Sequence, residues 1–194
     1  MDMKKSTVIF ITLAILLILA AGIITYNMAN KSATGKIISD PNEPVKVLLH
    51  TNMGDITIEL REDMPITAGN FESLVEKGTY NGVIFHRIID KFMIQGGDPT
   101  GTGYGDPSIP KIEDEFNGVQ KNNRGTIAMA NAGANTGSSQ FFINLVNNNF
   151  LDGKHPVFGD VVVGMDVVDK IAKVETDSND KPLSPVTIIS ARIL

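Results

Sequence analysis

The 194-residue chain has no cysteine, which excludes a disulfide-stapled scaffold, a thiolate metal centre and thiol catalysis and leaves it compatible with either redox compartment. It has no tryptophan, and aromatic residues make up only 6% of it. Positive charge is also scarce: 17 basic side chains face 22 acidic ones, a net charge of −5, so no nucleic-acid partner is expected. At 42% hydrophobic and 20% charged, the composition is equally far from a disordered tail. The three histidines, His50, His86 and His155, are too dispersed for a metal constellation, and there is no HExxH pattern. The pair Ser138-Ser139 lacks the G-x-S-x-G setting of a hydrolase nucleophile. Gly101-Thr102-Gly103-Tyr104-Gly105 has neither dinucleotide nor P-loop spacing, and Pro107 and Pro110 oppose a helix after it, so it reads as a plain loop. Glu113-Asp114-Glu115 reads as a solvated acidic face. No metal and no cofactor are expected.

What the chain does have is one long apolar run. Val8 to Thr25 carries no charge and follows Lys4 and Lys5. As a helix it would be roughly 27 Å long, close to the thickness of a bilayer's hydrocarbon core. A cleaved signal peptide is the rival reading, but cutting after Ala21 or Ala29 places Leu19 or Asn27 where a small residue is needed. The reading adopted is a single-pass anchor over 8–25, with 1–7 cytoplasmic and the rest of the chain extracytoplasmic; secretion after signal cleavage is the alternative. Lys4 and Lys5 favour that orientation, and Lys31 and Lys36 weaken it. Residues 26–44 are polar, contain Gly35, Pro41 and Pro44, and read as a linker of roughly 24 Å root-mean-square span. Of the 17 basic and 22 acidic residues, four and three lie in 1–44, so the 45–194 domain is itself acidic.

From Val45 onward the pattern has period two. Val45, Val47 and Leu49 alternate, Asn52-Met53-Gly54-Asp55 has turn composition, and Ile56, Ile58 and Leu60 alternate again, which predicts a hairpin. Pro65 opens a helical pattern through Ala68, Phe71, Leu74 and Val75 that Gly78 can end. Short runs follow at Val83–Ile89, Phe92–Gln95, Thr126–Ala130, Gln140–Val146 and Val157–Val163, then a helical stretch Met165–Val174 and a last strand Val186–Leu194. Many short strands with two helices predict a mainly β fold, a closed antiparallel barrel, because closure removes exposed edges.

The most specific segments are the run Phe85 to Asp98 (FHRIIDKFMIQGGD), Met129-Ala130-Asn131-Ala132-Gly133, Ser139-Gln140-Phe141-Phe142-Ile143, and Phe150-Leu151-Asp152-Gly153-Lys154-His155. In this order they resemble the cyclophilins, the cyclosporin-binding peptidyl-prolyl cis/trans isomerases, over essentially all of 45–194. The resemblance implies an eight-stranded antiparallel barrel capped by two α-helices, acting on proline-containing unfolded or flexible polypeptides. Position by position, it implies that Arg87 is catalytic and that Phe92, Met93, Phe142 and Leu151 surround the substrate proline. Gln95, Ala130, Asn131 and Gln140 would hold the flanking backbone, and His86 and His155 would edge the site. Phe150 stands where many eukaryotic members have tryptophan, so it joins the substrate-binding set but implies weak cyclosporin binding.

The residues themselves support that reading. A strand alternates its faces, so Arg87 points away from His86, while Gln140, Phe142 and Asn144 share one face and Phe141 and Ile143 the other. One face can be site and the other core. A peptide-binding chaperone module with incidental catalysis is the competing function, and the charged donor Arg87 favours the isomerase. The topology has its own test: protease added to intact, wall-stripped cells is expected to remove the 45–194 domain, and the uncut protein to stay in the membrane through a high-salt wash. Protection that ends only on lysis would place the domain in the cytoplasm, and a soluble product starting after residue 21 would show a cleaved signal.

Overall fold

Period-two alternation builds the start of the described part of the chain, residues 43–194 of a computed structural model. The expected cytoplasmic segment 1–7, the anchor 8–25 and the linker up to residue 42 lie outside the described residues. No helix among the described residues is long and apolar enough to cross a membrane. Strands β1 (Lys46–Thr51) and β2 (Gly54–Leu60) form the expected hairpin, in which Val47 faces Ile58 and Leu49 faces Ile56, all four fully buried. Helix α1 (Pro65–Glu76) begins at its proline, whose missing N–H is harmless in a first turn. Met64 gives it no side-chain cap. Instead Glu115 reaches over from far along the chain, its carboxylate accepting the N–H groups of Ile66 and Thr67 at 3.1 and 2.9 Å. Two members of the acidic triplet therefore have specific partners and are not merely a solvated face: Glu115 caps a helix, and Asp114 exchanges hydrogen bonds with Asn135 at 2.8 and 2.9 Å.

Strands β3 (Arg87–Ile89), β4 (Met93–Gly96), β5 (Thr126–Met129), β6 (Phe141–Asn144), β7 (Val157–Val163) and β8 (Ile188–Ile193) complete the sheet, with helix α2 (Met165–Ile171) between β7 and β8. The fold is thus mainly β, with eight strands and two helices among the described residues, in the spatial order β3-β4-β6-β5-β7-β2-β1-β8. Every neighbouring pair is antiparallel. The expected closed barrel is corrected to an open half-barrel, because no ladder joins β3 to β8. The reason is local. β3 is only three residues long, and its Ile88 N–H donates to the carbonyl of Asp180 at 2.8 Å. The segment just before β3 meets β8 instead, through one bridge between Ile84 and Thr187 and hydrogen bonds of 2.9 and 2.8 Å from Phe85 to Val186 and from Ile188 to Val83.

The main core holds the inner faces of the sheet against both helices. Phe71 of α1 stands 5.0 to 5.5 Å, centroid to centroid, from Tyr80, Phe141 and Phe158. The Tyr80 hydroxyl donates to the Ser139 carbonyl at 3.0 Å, so this ring is buried without an orphaned polar end. A second, smaller cluster lies on the outer face: Met93, Ala128, Phe142 and Val157, with Phe92, Ile89, Ala130 and Leu151 packed against it. β6 divides its side chains between the two as alternation requires, Phe141 and Ile143 to the main core and Phe142 to the outer cluster.

Gly97, directly after β4, has φ +85°, and a Cβ there would strike the Ser139 carbonyl and come within 2.8 Å of the Phe141 ring. Only glycine allows β4 to leave the sheet so close to β6. Gly97→Ala is expected to lower the unfolding free energy by roughly 2 to 4 kcal/mol. The effect should appear as a lower urea midpoint at unchanged m value; an unchanged midpoint would show that the close approach is not required.

Candidate active site

Two members of the outer cluster, Met93 and Phe142, form the floor of an open cavity of about 710 Å³. Met93 and Phe142 come from neighbouring strands β4 and β6, and Phe92 and Leu151 stand at its rim. His86 and Arg87 enter from the start of β3, Gln95 from β4, Ala130 and Asn131 from the end of β5, and His155 from the loop before β7. These ten expected residues therefore converge on one cavity. Gln140 and Phe150 do not line it. Gln140 lies in the wall of an adjoining cavity of about 750 Å³ that shares Gln95, Gly103, Tyr104, Ala130 and Asn131 with the first. Phe150 is 65% exposed on a single 3₁₀ turn (Asn149–Leu151), and its ring stacks on Phe92 at 5.9 Å. It walls Phe92 from outside, while the next residue, Leu151, turns inward.

The turn that delivers Leu151 is held by buried asparagines. Asn148 donates to the Phe92 carbonyl at 2.9 Å and to Asn144 at 2.8 Å, and Asn144 donates to Asn122 and Thr126. The outer face of β6 is therefore apolar at Phe142 and polar two residues on. His155 stands edge-on to Phe142 at 5.4 Å, and its Nδ1 lies 3.1 Å from the Met129 carbonyl. Asn131 donates to the Lys154 carbonyl at 2.8 Å, joining the loops on either side of the rim.

Arg87 pairs with Gln95 across the β3–β4 ladder. Its Nε donates to Asp180 at 3.4 Å, and its side chain is 43% exposed toward the cavity mouth. On the other side a chain of amides sets the polar wall: Gln95 donates to Gln140 at 2.9 Å, and Gln140 donates to the Gly103 carbonyl at 3.0 Å. Gly103 is fixed in turn by Asp98. This fully buried carboxylate accepts hydrogen bonds from the Thr100 amide and hydroxyl, the Thr102 hydroxyl and the Gly103 and Gly105 amides. Burial pushes its pKa up, but the bonds from Thr100, Gly103 and Gly105 outweigh it and hold the carboxyl below its usual range.

His86 is 7% exposed and neither ring nitrogen has a hydrogen-bond partner among the described residues. Burial pushes its pKa below the ordinary value; Asp98 opposes this, and Arg87 and Lys181 add to it. Sequence reasoning missed the far wall. Gly101 to Tyr104, read as a plain loop, lines the cavity, and so do Asp177, Asn179 and Lys181. A signal for the first was available, since Asp98 followed by threonines and glycines is the composition of a loop folded around one carboxylate. For the second, nothing local links residues 177–181 to Arg87.

Comparison with known proteins gives one consistent picture. Residues 46–193 match the family model described as cyclophilin type peptidyl-prolyl cis-trans isomerase/CLD. The chain is 49% identical over 152 residues to peptidyl-prolyl cis-trans isomerase-like 1 of Aspergillus fumigatus, covering 76% of this chain and 94% of that protein. It is 49% identical over 156 residues to the Homo sapiens protein of the same name, covering 78% and 94%. The crystal structure of a Cryptosporidium parvum cyclophilin type isomerase superposes with a TM-score of 0.75 at 34% identity, over 78% of this chain and 98% of that one. A second structure of that protein, solved in the presence of the dipeptide Ala-Pro, gives a TM-score of 0.74 at 35% identity, over 77% and 98%.

Two shifted groups at the site, His86 and Asp98, predict how stability responds to acid. The unfolded chain takes up a proton at His86 before the folded one does, so stability is full above about pH 6.5 and declines as the pH falls below it. Asp98, also depressed on folding, adds a second loss as the pH falls below about 4 and through its folded value. Urea midpoints measured from pH 7.5 to 3 are expected to show both declines, with the first absent from His86→Phe. The same pH dependence in both proteins between 6.5 and 4.5 would remove His86 from the explanation.

Proposed function

The chain belongs to the cyclophilin-type peptidyl-prolyl cis-trans isomerases, and from that membership we propose that Arg87 supplies the transition-state contact for rotation of an X-Pro bond held in the cavity. The activity itself, peptidyl-prolyl isomerisation, is that of the family. One observation carries the residue assignment: a partly exposed guanidinium borders a cavity whose floor, Met93 and Phe142, is apolar and almost fully buried. The proline ring would rest on that floor between Phe92 and Leu151, with Gln95, Ala130, Asn131 and Gln140 along the flanking backbone and His86 and His155 at the edges. The Cryptosporidium parvum structure obtained with Ala-Pro supports a proline-containing peptide as the occupant.

The chemistry makes no covalent bond. The barrier to rotation, roughly 18 to 20 kcal/mol, is amide resonance, and it falls when the nitrogen lone pair is localised. As the amide twists, that lone pair becomes an acceptor. Arg87 presents several donors in a rigid, permanently charged fork, and one of them can bond the pyramidal nitrogen or the neighbouring carbonyl. Apolar walls strengthen the contact by excluding water. If a free bond isomerises in about 100 s and the enzyme reaches on the order of 10³ per second, the barrier must fall by roughly 7 kcal/mol. Binding the twisted form more tightly than either planar form, by one charged donor and several polar contacts, is of that order.

We further propose that the domain works outside the cytoplasm on an anchor at Val8 to Thr25, where chains emerging unfolded carry mixed X-Pro isomers whose interconversion limits folding. Cyclosporin binding would be weak, since the Phe150 side chain lacks the N–H donor of a tryptophan ring. Arg87→Ala is expected to fold normally and to lose at least ~100-fold in kcat/KM, about 2.7 kcal/mol of transition-state stabilisation, in a coupled assay on an X-Pro peptide. Lysine should restore little, because an ammonium lacks the fork. A folded Arg87→Ala variant with wild-type turnover would end the assignment.

A further inference from the structure

Arg87 sits on the edge strand of an open sheet, where its long stem is not fixed by packing on both sides. One residue meets both needs of that edge. Asp180 accepts the Ile88 N–H with its backbone carbonyl at 2.8 Å and the Arg87 Nε–H with its carboxylate at 3.4 Å. The geometry points to Asp180 as a positioning residue for the reaction, holding the guanidinium by Nε so that its two terminal amino groups are presented to the twisted amide. This assignment rests on the reading of Arg87 as the group that contacts the transition state.

The segment that carries Asp180 is built to hold one place. Thr176 bridges Pro182, the Leu183 amide donates to the Glu175 carbonyl at 2.9 Å, and the Asp177 amide donates to the Lys181 carbonyl at 2.8 Å. Inside this narrow hairpin the Asp177 carboxylate accepts the amides of Asn179 and Lys181 at 2.8 and 3.0 Å. Asp180 itself has φ +64°, a left-handed conformation that Asp and Asn adopt more readily than other side chains and glycine adopts freely. Asp177, Asn179 and Lys181 line the cavity, so the hairpin is part of its wall. A guanidinium bonded through Nε keeps its plane fixed while both Nη groups stay free, the arrangement a donor needs when its acceptor forms only during bond rotation. Both partners are a little over 40% exposed, so added salt should weaken the hold.

Asp180→Asn tests this, because it keeps the shape and the left-handed backbone and removes the charge; Asp180→Gly is the second variant, free of the positive-φ strain. Measured in the full-length chain, each is expected to lower kcat about 3- to 10-fold with KM within twofold of wild type. Exchange of the Arg87 Nε–H, followed by ¹⁵N NMR, should speed up in both variants, and 0.5 M NaCl should narrow the kcat gap from wild type. In an Arg87→Ala background the same substitutions should change kcat by less than 1.5-fold. Wild-type kcat in Asp180→Gly, which removes the acceptor altogether, unchanged Nε–H exchange in that variant, or an equal loss in both backgrounds would each overturn the assignment. If Arg87→Ala were itself fully active, the reading of Arg87 would have failed first, and the exchange measurement would still report whether Asp180 holds the side chain.

Discussion

The two-residue period of β6 is the constraint on which the site depends. All four of its residues are buried, so the strand has no solvent face to spare. Phe141 and Ile143 complete the aromatic core around Phe71, and Phe142 must therefore project to the other side of the sheet. There it packs with Met93, Ala128 and Val157, and of these four Phe142 and Met93 make an apolar floor that the fold itself does not roof. A slip of one residue in the β4–β6 register would exchange site and core together. The cavity is thus fixed by the same pairing that stabilises the half-barrel, and it cannot loosen without loss of the core.

A second economy concerns charge. A carboxylate buried like Asp98 is unfavourable unless its oxygens are filled with donors. The loop that fills them is the one that presents Gly103 and Tyr104 to the cavity, so solvation of one anion and shaping of the polar wall are a single event. Through Gly103, Gln140 and Gln95 that order reaches the strand partner of Arg87. In the proposed reading, the apolar floor grips the proline ring, and the amide chain and the guanidinium orient the peptide around it.

The parts legible in the sequence were those written in short-range pattern. Alternation placed the β1–β2 hairpin and divided Phe141 from Phe142, and Pro65 and Gly78 bracketed α1. The long motifs, read through a family resemblance, brought ten of the proposed site residues onto one cavity. What stayed hidden depends on contacts far apart in the chain: Glu115 capping α1, Asp180 beside Arg87, and Asp177 to Lys181 as a wall. The open seam was hidden for a related reason, since closure turns on whether a three-residue strand can pair on both edges, and composition does not say. That Phe150 backs Phe92 while Leu151 faces the cavity was also hidden, because a 3₁₀ turn sends adjacent side chains in different directions, which a motif read as a string does not convey.

The cap on α1 has a further consequence. Residues 97–125 form one long excursion between β4 and β5, and such stretches ordinarily contribute disorder that a ligand must quench. Here the excursion is sutured along its length, at the start by the donors gathered on Asp98, past its middle by Glu115 on the helix and Asp114 on Asn135, and at its end by Asn122 on Asp152 and Arg124 on Asp169. The substrate meets a rim that is already ordered, so little of its binding free energy is diverted into freezing the loop.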